Sequence, residues 1–364
     1  MKVLAIEPYG ARSHVAFLEG LAAASRHEWQ LEVWPPRFWK WRMGTAALGA
    51  RDLVAAGDHD VLFVSDYLNL AELRAILPPG KRDIPVVMYF HENQLTYPLR
   101  EGERRDVHHG LSNVHGVLAA DHALFNSDFH RRAFVEGAGA LLGRAPDLDL
   151  GWVAGAIAER SSVLPLGSNL EARGARSLAA DEDLVIAWNH RWEYDKAPEV
   201  LVQVATELEA RGFGFQLVLL GERFRKRPAA LDELEARFAH RIAFSGFADS
   251  RAEYLAWLDR SHVQFSSARH EFFGLSTLEG LRRGLLPVLP DDLAYPELLP
   301  DELRRHPHLY PRSAEDPGVQ AAADALVATA ELLRAGAAPA TAAWTERFRW
   351  SALGPRYDTV LESL

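Results

Sequence analysis

The chain has 364 residues and a net charge of −10 at pH 7, from 40 Lys and Arg against 50 Asp and Glu. This length favours two domains, and apolar residues make up 48% of the sequence, enough for the cores of a soluble protein. The absence of cysteine excludes disulfides, thiol catalysis and cysteine-ligated metal sites, and it fits a reducing cytoplasm. The acidic balance argues against a broad nucleic-acid face, although a local basic patch can still bind phosphates.

The first residues predict a buried strand, Lys2–Ile6, and not a signal peptide, because the apolar run ends at Glu7. A loop then leads through Ser13 to a helix beginning near His14. Open parallel sheets bind ligands in such loops, at the carboxyl ends of their strands. Gly10 is the only glycine of this loop, so a dinucleotide-binding fingerprint is absent. No stretch of the sequence has the character of a membrane span, so we expect no membrane insertion.

Aromatic and basic residues alternate between residues 34 and 42, in the order Trp-Pro-Pro-Arg-Phe-Trp-Lys-Trp-Arg. Aromatic rings beside Arg and Lys can stack on bases and pair with phosphates, which makes Arg37, Trp39 and Arg42 candidate binding residues. The alternative is an ordinary amphipathic loop whose tryptophans pack inward. Both interpretations can hold for different residues of the stretch.

Further apolar runs predict strands that alternate with helix-length segments, at residues 61–65, 85–90, 122–127 and 162–165. That alternation is typical of a parallel sheet covered by helices. The strand at 85–90 ends in His91-Glu92-Asn93-Gln94, and polar groups at the end of a buried strand are costly unless a ligand or a network satisfies them. We therefore predict a functional site there. His108, His109 and His115 follow in a helical segment, but no carboxylate partner is evident and we predict no metal site.

The composition changes after Gly167, where residues 168–183 are polar, small and acidic and predict a linker. A second α/β series follows, with strands predicted at residues 184–188, 215–222, 242–246, 262–267 and 285–290. Two similar sheets in one chain would form a cleft between two domains. We assign residues 1–167 and 184–345 to these domains and residues 346–364 to a C-terminal helix that can pack back on the first domain.

The stretch from His270 to Glu279 predicts the end of a strand, a turn and the start of a helix. The first turn of such a helix, beside Phe273 to Ser276, presents backbone N–H groups that attract anions. Glu271 before the helix and Glu279 inside it could hold two sets of hydroxyl groups on one ligand. Arg191 and Lys196, which follow the strand at 184–188, could converge on a diphosphate.

These elements together resemble the nucleotide-sugar domain of the retaining GT-B glycosyltransferases of family four. The resemblance rests on Arg191 with Lys196, on Gly221-Glu222 after a strand, and on Glu271 and Glu279 in a Glu-x7-Glu arrangement. More narrowly, the chain resembles the tRNA-queuosine α-mannosyltransferases from about Ile6 to the C-terminal helix. The stretches that carry this narrower resemblance are Tyr89–Pro98, Asn189–Lys196 and His270–Gly274, with Trp39–Arg42 and Tyr295–Glu297 in support.

The resemblance implies a GT-B fold, with two Rossmann-like domains facing across a cleft, and transfer of mannose from GDP-mannose to queuosine in the anticodon loop of an aspartate-type tRNA. It assigns catalysis to Glu271, His91, Arg191 and Lys196. The residues implied to bind the donor are Asn189, Gly221, Glu222, His270, Phe273, Gly274, Leu275, Ser276 and Glu279. Those implied on the acceptor side are Ser13, His14, Arg37, Trp39, Arg42, Asn93 and Gln94. No metal, no further cofactor and no obligate protein partner are expected, and the enzyme would be cytoplasmic.

One departure affects the acceptor side. The family usually has a Gly-Gly pair before Ser-His in its first loop, and here Ala11-Arg12 stands in that place. Two alternatives remain open: a glycosyltransferase that uses a lipid or small-glycan acceptor at a membrane surface, and a noncatalytic binder of nucleotide sugar or tRNA. The intact acidic and basic residues favour an enzyme over a binder.

Overall fold

The structure is a computed structural model, and it describes residues 1–99, 102–222 and 227–364. The chain forms two compact units. Unit 1 contains Met1–Asn169 together with Phe348–Leu364, and unit 2 contains Leu170–Arg347. The last residues of the chain therefore belong to the same unit as the first.

Unit 1 alternates strands and helices along the chain. Its strands are β1 (Lys2–Glu7), β2 (Glu28–Val33), β3 (Val61–Ser65), β4 (Val86–Phe90), β5 (His122–Phe125) and β6 (Ser161–Val163). The helices between and after them are α1 (Arg12–Ala24), α2 (Trp39–Ala56), α3 (Leu70–Ile76), α4 (Val107–Ala119), α5 (Asp128–Leu142) and α6 (Trp152–Glu159). The strands form a sheet in the order β2-β1-β3-β4-β5-β6, and each neighbouring pair is parallel.

Unit 2 repeats this alternation. Its strands are β7 (Leu184–Trp188), β8 (Phe215–Leu220), β9 (Ile242–Gly246), β10 (Val263–Phe265), β11 (Leu286–Pro290) and β12 (Leu309–Tyr310). Its helices are α7 (Pro198–Ala210), α8 (Ala229–Arg237), α9 (Arg251–Arg260), α10 (Leu275–Arg282), α11 (Tyr295–Leu298), α12 (Val319–Arg334) and α13 (Thr341–Thr345). The parallel sheet has the order β12-β11-β10-β7-β8-β9. Across the described ranges, no helix combines the length and the hydropathy needed to cross a bilayer.

The cores explain why these sequences form sheets with helices on both faces. β3 and β4 are buried along their whole length, and their near-continuous apolar residues are typical of a parallel sheet covered on each side. In unit 2, the buried cluster extends from β7 and β8 to α7 and α12, and it includes Leu178 from the segment between the predicted domains. The residues predicted as a linker thus contribute a core side chain.

The α/β class and the two parallel sheets predicted from the sequence are confirmed. The sequence did not reveal β2, because this strand lies at the edge of its sheet and alternates exposed with partly buried residues. It also did not reveal β12, which is only two residues long. The start of α1 at Arg12 is two residues before the expected position near His14. Helix α2 begins at Trp39, inside the aromatic stretch whose alternative interpretation was a loop.

The last helix, α14 (Trp350–Glu362), packs against α1 in unit 1. Trp350 is 3% exposed, and its indole fills the space beside two glycines. A Cβ atom added at Gly20 would lie 2.1 Å from this ring, and one added at Gly167 would lie 2.3 Å from it. The hydroxyl group of Tyr357 shares its one hydrogen between the carbonyl oxygens of Leu164 and Pro165, both at 3.1 Å. The end of the chain is therefore part of the unit 1 core.

Replacing Trp350 by alanine tests this packing. Trp350→Ala would leave a cavity between the two glycines, and we expect it to lower the free energy of unfolding of unit 1 by about 3–5 kcal/mol. Urea unfolding followed by tryptophan fluorescence and circular dichroism measures the loss. Trp152→Ala is the matched control, because Trp152 is 61% exposed and its removal leaves no internal cavity. Equal stability of the two variants would contradict the packing described for α14.

Candidate active site

The carboxyl ends of β7, β8 and β10 lie along one edge of the unit 2 sheet, because neighbouring strands are parallel. The loop after β7 carries Asn189, Arg191 and Lys196. The segment after β10 carries Glu271, and Glu279 follows inside α10. The structure therefore brings residues from separate stretches of sequence to one edge of the sheet. These five residues are called the unit 2 site below.

A buried ion pair lies at the centre of the unit 2 site. The Nζ atom of Lys196 is 3.3 Å from Oε2 of Glu271 and 3.1 Å from Oδ2 of Asp195, and it donates a 2.8 Å hydrogen bond to the carbonyl of His270. Burial lowers the pKa of Lys196, but the two carboxylates outweigh burial and raise it above its ordinary value. Burial also opposes ionisation of Glu271, yet Lys196 and His190 bring the pKa of Glu271 down to about 2. Both partners are therefore charged at neutral pH.

Two histidines beside the ion pair are neutral. Burial lowers the pKa of His190 to about 3 and that of His270 to about 4, and the charge of Lys196 adds to both shifts. The Nε2 atom of His190 is buried and has no hydrogen-bond partner among the residues that the structure describes. Sequence reasoning included His270 but missed His190, whose only signal was its place between Asn189 and Arg191. A neutral, buried imidazole next to Glu271 adds a hydrogen-bonding group to the site.

The carboxylate of Glu279 is held from two sides. Its Oε2 accepts a 2.8 Å hydrogen bond from the hydroxyl group of Tyr254, and its Oε1 pairs with Arg251. Asn189 donates one amide hydrogen to Tyr254 at 3.0 Å and the other to the carbonyl of Ser276 at 2.9 Å. Asn189 was predicted to contact a ligand, but both of its amide hydrogens are used inside unit 2. Its place is that of a positioning residue, which fixes Tyr254 and the start of α10.

Two glycines are required by the local geometry of this site. Gly274 has a φ of 91°, a left-handed backbone that favours glycine, and it directly precedes Leu275, the first residue of α10. The first backbone N–H groups of a helix lack partners within the helix, so Leu275 and Ser276 present donors there. A Cβ atom at Gly221 would lie 2.0 Å from the carbonyl oxygen of His190. The loop after β8 therefore packs directly on the loop after β7.

The remaining predicted residues of unit 2 differ in exposure. The side chain of Arg191 is 52% exposed and lies 3.6 Å from Glu193, and its charge is close enough to oppose the raised pKa of Lys196. Phe273 is buried, and its backbone N–H donates to Glu271 at 3.5 Å. Glu222 is exposed. The structure thus gathers the charged pairs predicted from the sequence and places Arg191 as the more accessible cation.

Unit 1 has its own cluster of polar residues at the carboxyl ends of β1, β3 and β4. Glu7 is 1% exposed, and its Oε1 accepts hydrogen bonds from Ser65 at 3.0 Å and from the backbone of Tyr9 at 2.8 Å. Its Oε2 lies 3.3 Å from Nδ1 of His14 and 3.8 Å from Nε2 of His91. Sequence reasoning named both histidines but missed Glu7, because this residue is the last of an otherwise apolar strand.

The pKa values of the two histidines of this cluster shift in opposite directions. Burial lowers the pKa of His14, but the carboxylate of Glu7 outweighs burial and raises it above its ordinary value. Burial lowers the pKa of His91 well below its ordinary value, and His14 adds to the shift. The two rings stack with their centroids 3.9 Å apart and an angle of 9° between their planes. A histidine with a raised pKa, beside Glu7, therefore lies against a histidine with a lowered pKa.

Among the described residues, Glu7, His14 and His91 are a group whose ligand atoms lie close enough together to consider a metal ion. The nitrogen lone pairs of an imidazole lie in the plane of its ring, so two rings stacked 3.9 Å apart at 9° do not aim them at one point, as a metal ion requires. The observed arrangement is therefore a stack of two imidazoles beside the carboxylate of Glu7. The expectation that no metal is used stays a prediction.

Two amide residues predicted on the acceptor side differ in their positions. Asn93 is fully buried, and its Oδ1 accepts hydrogen bonds from the backbones of Leu95 at 3.0 Å and Thr96 at 2.9 Å. Its amide also donates to Thr96, so Asn93 shapes the loop after β4, and its contact with the acceptor stays a prediction. Gln94 is partly buried and donates to Glu92 at 3.3 Å. Gln94 remains a candidate at the loop surface.

The aromatic stretch divides into packed and exposed rings. Trp39 is partly buried, with its ring 5.2 Å from that of His109 on α4, and Arg42 lies over the ring of Trp34 at 5.6 Å. Phe38 and Trp41 are instead 77% and 70% exposed. Ser13 and Arg37 are also exposed, and His14 is buried. The packing interpretation thus holds for Trp34 and Trp39, and the binding interpretation stays a prediction.

Solved structures with the same fold are glycosyltransferases. Anabaena HepE, solved in complex with UDP, superposes with a TM-score of 0.67 at 14% identity, covering 100% of this chain and 99% of that one. Sucrose-phosphate synthase from Thermosynechococcus elongatus gives a TM-score of 0.68 at 16% identity, covering 100% and 98%. The lipopolysaccharide galactosyltransferase WaaB gives 0.64 at 12% identity, covering 100% and 99%. The chain therefore has the GT-B fold of glycosyltransferases.

The sequence comparisons are more specific. The family model described as tRNA-queuosine alpha-mannosyltransferase N-terminal matches residues 2–168. A tRNA-queuosine alpha-mannosyltransferase from Drosophila melanogaster is 33% identical over 312 residues, which cover 82% of this chain and 82% of that protein. The chain belongs to the tRNA-queuosine alpha-mannosyltransferase family and is an enzyme that transfers a sugar.

The opposite pKa shifts of the histidines can be measured by 15N NMR of the imidazoles. We expect His190 and His270 to stay neutral from pH 8 to about pH 5, since their pKa values are about 3 and about 4. We expect His14 to titrate above its ordinary value of 6.5. Single histidine-to-glutamine variants assign the signals. A midpoint of His190 near 6.5 would contradict its burial beside Lys196.

The same shifts fix the sign of the stability change with pH. The unfolded chain protonates His190 and His270 near pH 6.5, but the folded chain protonates them only near pH 3 and pH 4. These two residues therefore make the fold less stable as pH falls below 6.5. The pKa of His14 is raised, so its contribution is present below pH 6.5 and is lost as pH rises through the raised value.

Proposed function

We propose that the enzyme transfers mannose from GDP-mannose to queuosine in a tRNA anticodon loop and retains the anomeric configuration. The observation that carries this proposal is the 33% identity to a tRNA-queuosine alpha-mannosyltransferase over 82% of the chain. The charged pairs of the unit 2 site support it, because a nucleotide sugar needs acceptors for hydroxyl groups and cations for a diphosphate.

Two carboxylates bind the two ends of the donor in this proposal. Glu279 accepts hydrogen bonds from the ribose hydroxyl groups, and Tyr254 and Arg251 hold it in place. Glu271 accepts hydrogen bonds from the hydroxyl groups of the sugar. Because Lys196 keeps the pKa of Glu271 near 2, Glu271 is a charged acceptor at neutral pH, and charged acceptors form the stronger hydrogen bonds.

The diphosphate is bound where positive charge accumulates. Arg191 supplies a half-exposed guanidinium, and the start of α10 supplies the backbone N–H groups of Leu275 and Ser276. Lys196 adds a buried cation close by. As the bond to the sugar breaks, negative charge grows on the departing phosphate, and preorganised donors and cations stabilise that charge. These groups do the work that a metal ion does in other transferases, so the proposal needs no metal and no cofactor beyond the donor.

Retention then follows from attack on the face that the diphosphate leaves. A double displacement needs a carboxylate nucleophile, as in retaining hydrolases. In the unit 2 site both carboxylates are held by cations, Glu271 by Lys196 and Glu279 by Arg251. We therefore propose front-face attack by an acceptor hydroxyl group, whose proton passes to the departing phosphate.

On the acceptor side, Ser13 and Arg37 are exposed, and Trp39, Arg42 and Gln94 are partly buried. His91 offers a neutral ring, stacked on that of His14, as a polar contact for a substrate hydroxyl group. The tRNA substrate and the lack of cysteine support a cytoplasmic enzyme without an obligate protein partner.

Glu271→Ala tests the donor site. We expect it to reduce transfer by about 100-fold or more, because it removes a charged acceptor for the sugar, while Lys196 keeps Asp195 and the carbonyl of His270 as partners. The mass of the modified tRNA after incubation with GDP-mannose measures transfer. Glu207→Ala is the matched control, since Glu207 lies on α7 and pairs with Arg211. Transfer by Glu271→Ala equal to that of the control would remove the proposed role.

A second test concerns the acceptor. We expect transfer to tRNA that contains queuosine and none to the same tRNA with guanine at that position, because the accepting hydroxyl groups belong to queuosine. A panel of GDP- and UDP-sugars, read by the mass added to the tRNA, identifies the donor in the same assay. Equal transfer to both tRNAs would show that the acceptor assignment is wrong.

A further inference from the structure

The start of α2 exposes aromatic rings that the fold itself does not use. Phe38 is 77% exposed and Trp41 is 70% exposed, and the two residues are three positions apart at the helix start. Arg37 and Lys40, next to these rings in sequence, are exposed as well. Phe38, Trp41, Arg37 and Lys40 are called the aromatic surface below.

The backbone at this point is strained. Phe38 has a φ of 55° and a ψ of 52°, the left-handed conformation that is unfavourable for residues other than glycine. Such strain is usually offset by packing, but the ring of Phe38 is exposed. The residue therefore costs stability both through its backbone and through its exposed apolar side chain. Strain without a packing gain points to a role in binding.

The charges of the aromatic surface match a polyanion. The first turn of α2 contains no acidic residue, and in the described ranges no side chain caps this helix start. Arg37 and Lys40 add positive charge where the helix dipole is already positive. Like charges at a helix start are unfavourable in the protein alone, and they become favourable when phosphates bind.

We infer that the aromatic surface binds unpaired nucleotides of an RNA, with the rings of Phe38 and Trp41 stacking on bases and Arg37 and Lys40 contacting phosphates. Exposed aromatic rings beside cations are the combination by which proteins hold single-stranded nucleic acid. Trp39, which the sequence suggested as a binding residue, instead packs against His109 beneath the aromatic surface. The inference rests on the proposed function, in which the acceptor is a base in an anticodon loop.

A lipid surface is the other partner with this general chemistry. Leu48 is 57% exposed and follows Trp41 by seven residues, so it extends the apolar side of α2. Three apolar side chains are little for attachment to a bilayer, where binding strength increases with the buried apolar area. Stacking on bases needs only the two rings, and RNA is therefore the partner that the surface fits better.

Binding of queuosine-containing tRNA to the full-length enzyme, followed by fluorescence anisotropy at fixed salt without donor, tests the inference. We expect Phe38→Gly and Trp41→Ala each to weaken binding by about tenfold, the effect of losing one stacked base. Trp41→Phe keeps a ring and is expected to retain most of the affinity. Trp152→Ala removes another exposed indole of unit 1 and is expected to bind like the wild type.

Phe38→Gly also separates binding from stability. Glycine adopts the left-handed backbone without strain, so this variant is expected to melt at the same temperature as the wild type or higher while it binds tRNA more weakly. A purely structural role of Phe38 predicts the reverse, a lower melting temperature with unchanged binding of the folded protein.

The contribution of the cations is read from the salt dependence. We expect Arg37→Ala and Lys40→Ala each to reduce the slope of log affinity against log salt by about 0.7, the value for one phosphate contact on a single strand. In the double variant Arg37→Ala with Lys40→Ala, the two reductions in slope should roughly add if each cation contacts its own phosphate. Unchanged slopes would remove the phosphate contacts from the inference.

The outcomes distinguish this surface from the proposed function. If the wild type transfers no sugar to tRNA, the proposed function itself fails. If the wild type modifies tRNA but Phe38→Gly and Trp41→Ala bind tRNA with unchanged affinity, only the aromatic surface is wrong. The last experiment measures co-flotation of the wild type and the variants with vesicles that contain phosphatidylserine. If the wild type floats with the vesicles and the variants do not, while their tRNA binding is unchanged, the surface binds a membrane and the inference is overturned.

Discussion

The ion pair between Lys196 and Glu271 is the interaction on which the unit 2 site depends. A buried carboxylate or ammonium is costly alone, and removal of one partner leaves the other charge without compensation. Lys196 offsets this cost because its ammonium group contacts Glu271, Asp195 and the carbonyl of His270 at once. The three partners come from the loop after β7 and the segment after β10, so the ion pair also fixes the distance between these two parts of the chain.

The same physical solution recurs in unit 1 with different residues. Glu7 is buried at the end of β1, and His14, whose pKa Glu7 raises, lies 3.3 Å from it in place of a lysine. In both units a basic side chain accompanies a carboxylate, and a histidine whose pKa burial lowers lies next to the pair, His190 in one unit and His91 in the other. The neutral rings can donate or accept hydrogen bonds without adding charge. Burial therefore sets the chemical character of both clusters.

Sequence patterns predicted the structure correctly where hydrophobicity alone decides it, as in the buried strands. Long apolar runs identified the buried strands, and the motifs placed Lys196 and Glu271, which form an ion pair in the structure, in one site. Local patterns could not show which polar atoms are satisfied internally, so the hydrogen bonds that Asn93 and Asn189 make within the protein were not predicted. They also could not show which tryptophans face solvent, because that depends on where α2 begins. Edge strand β2 lacked an apolar run because only part of it is buried.

The position of Trp350 has a consequence for how the protein is made. The indole that fills the space beside Gly20 and Gly167 belongs to a helix that is synthesised after the whole of unit 2. Domains generally fold in order as they leave the ribosome, the N-terminal one first. Here the nascent unit 1 lacks part of its core while unit 2 is translated, and a chain released before Trp350 would keep that apolar gap. Premature termination after unit 2 would therefore destabilise the domain that was synthesised first.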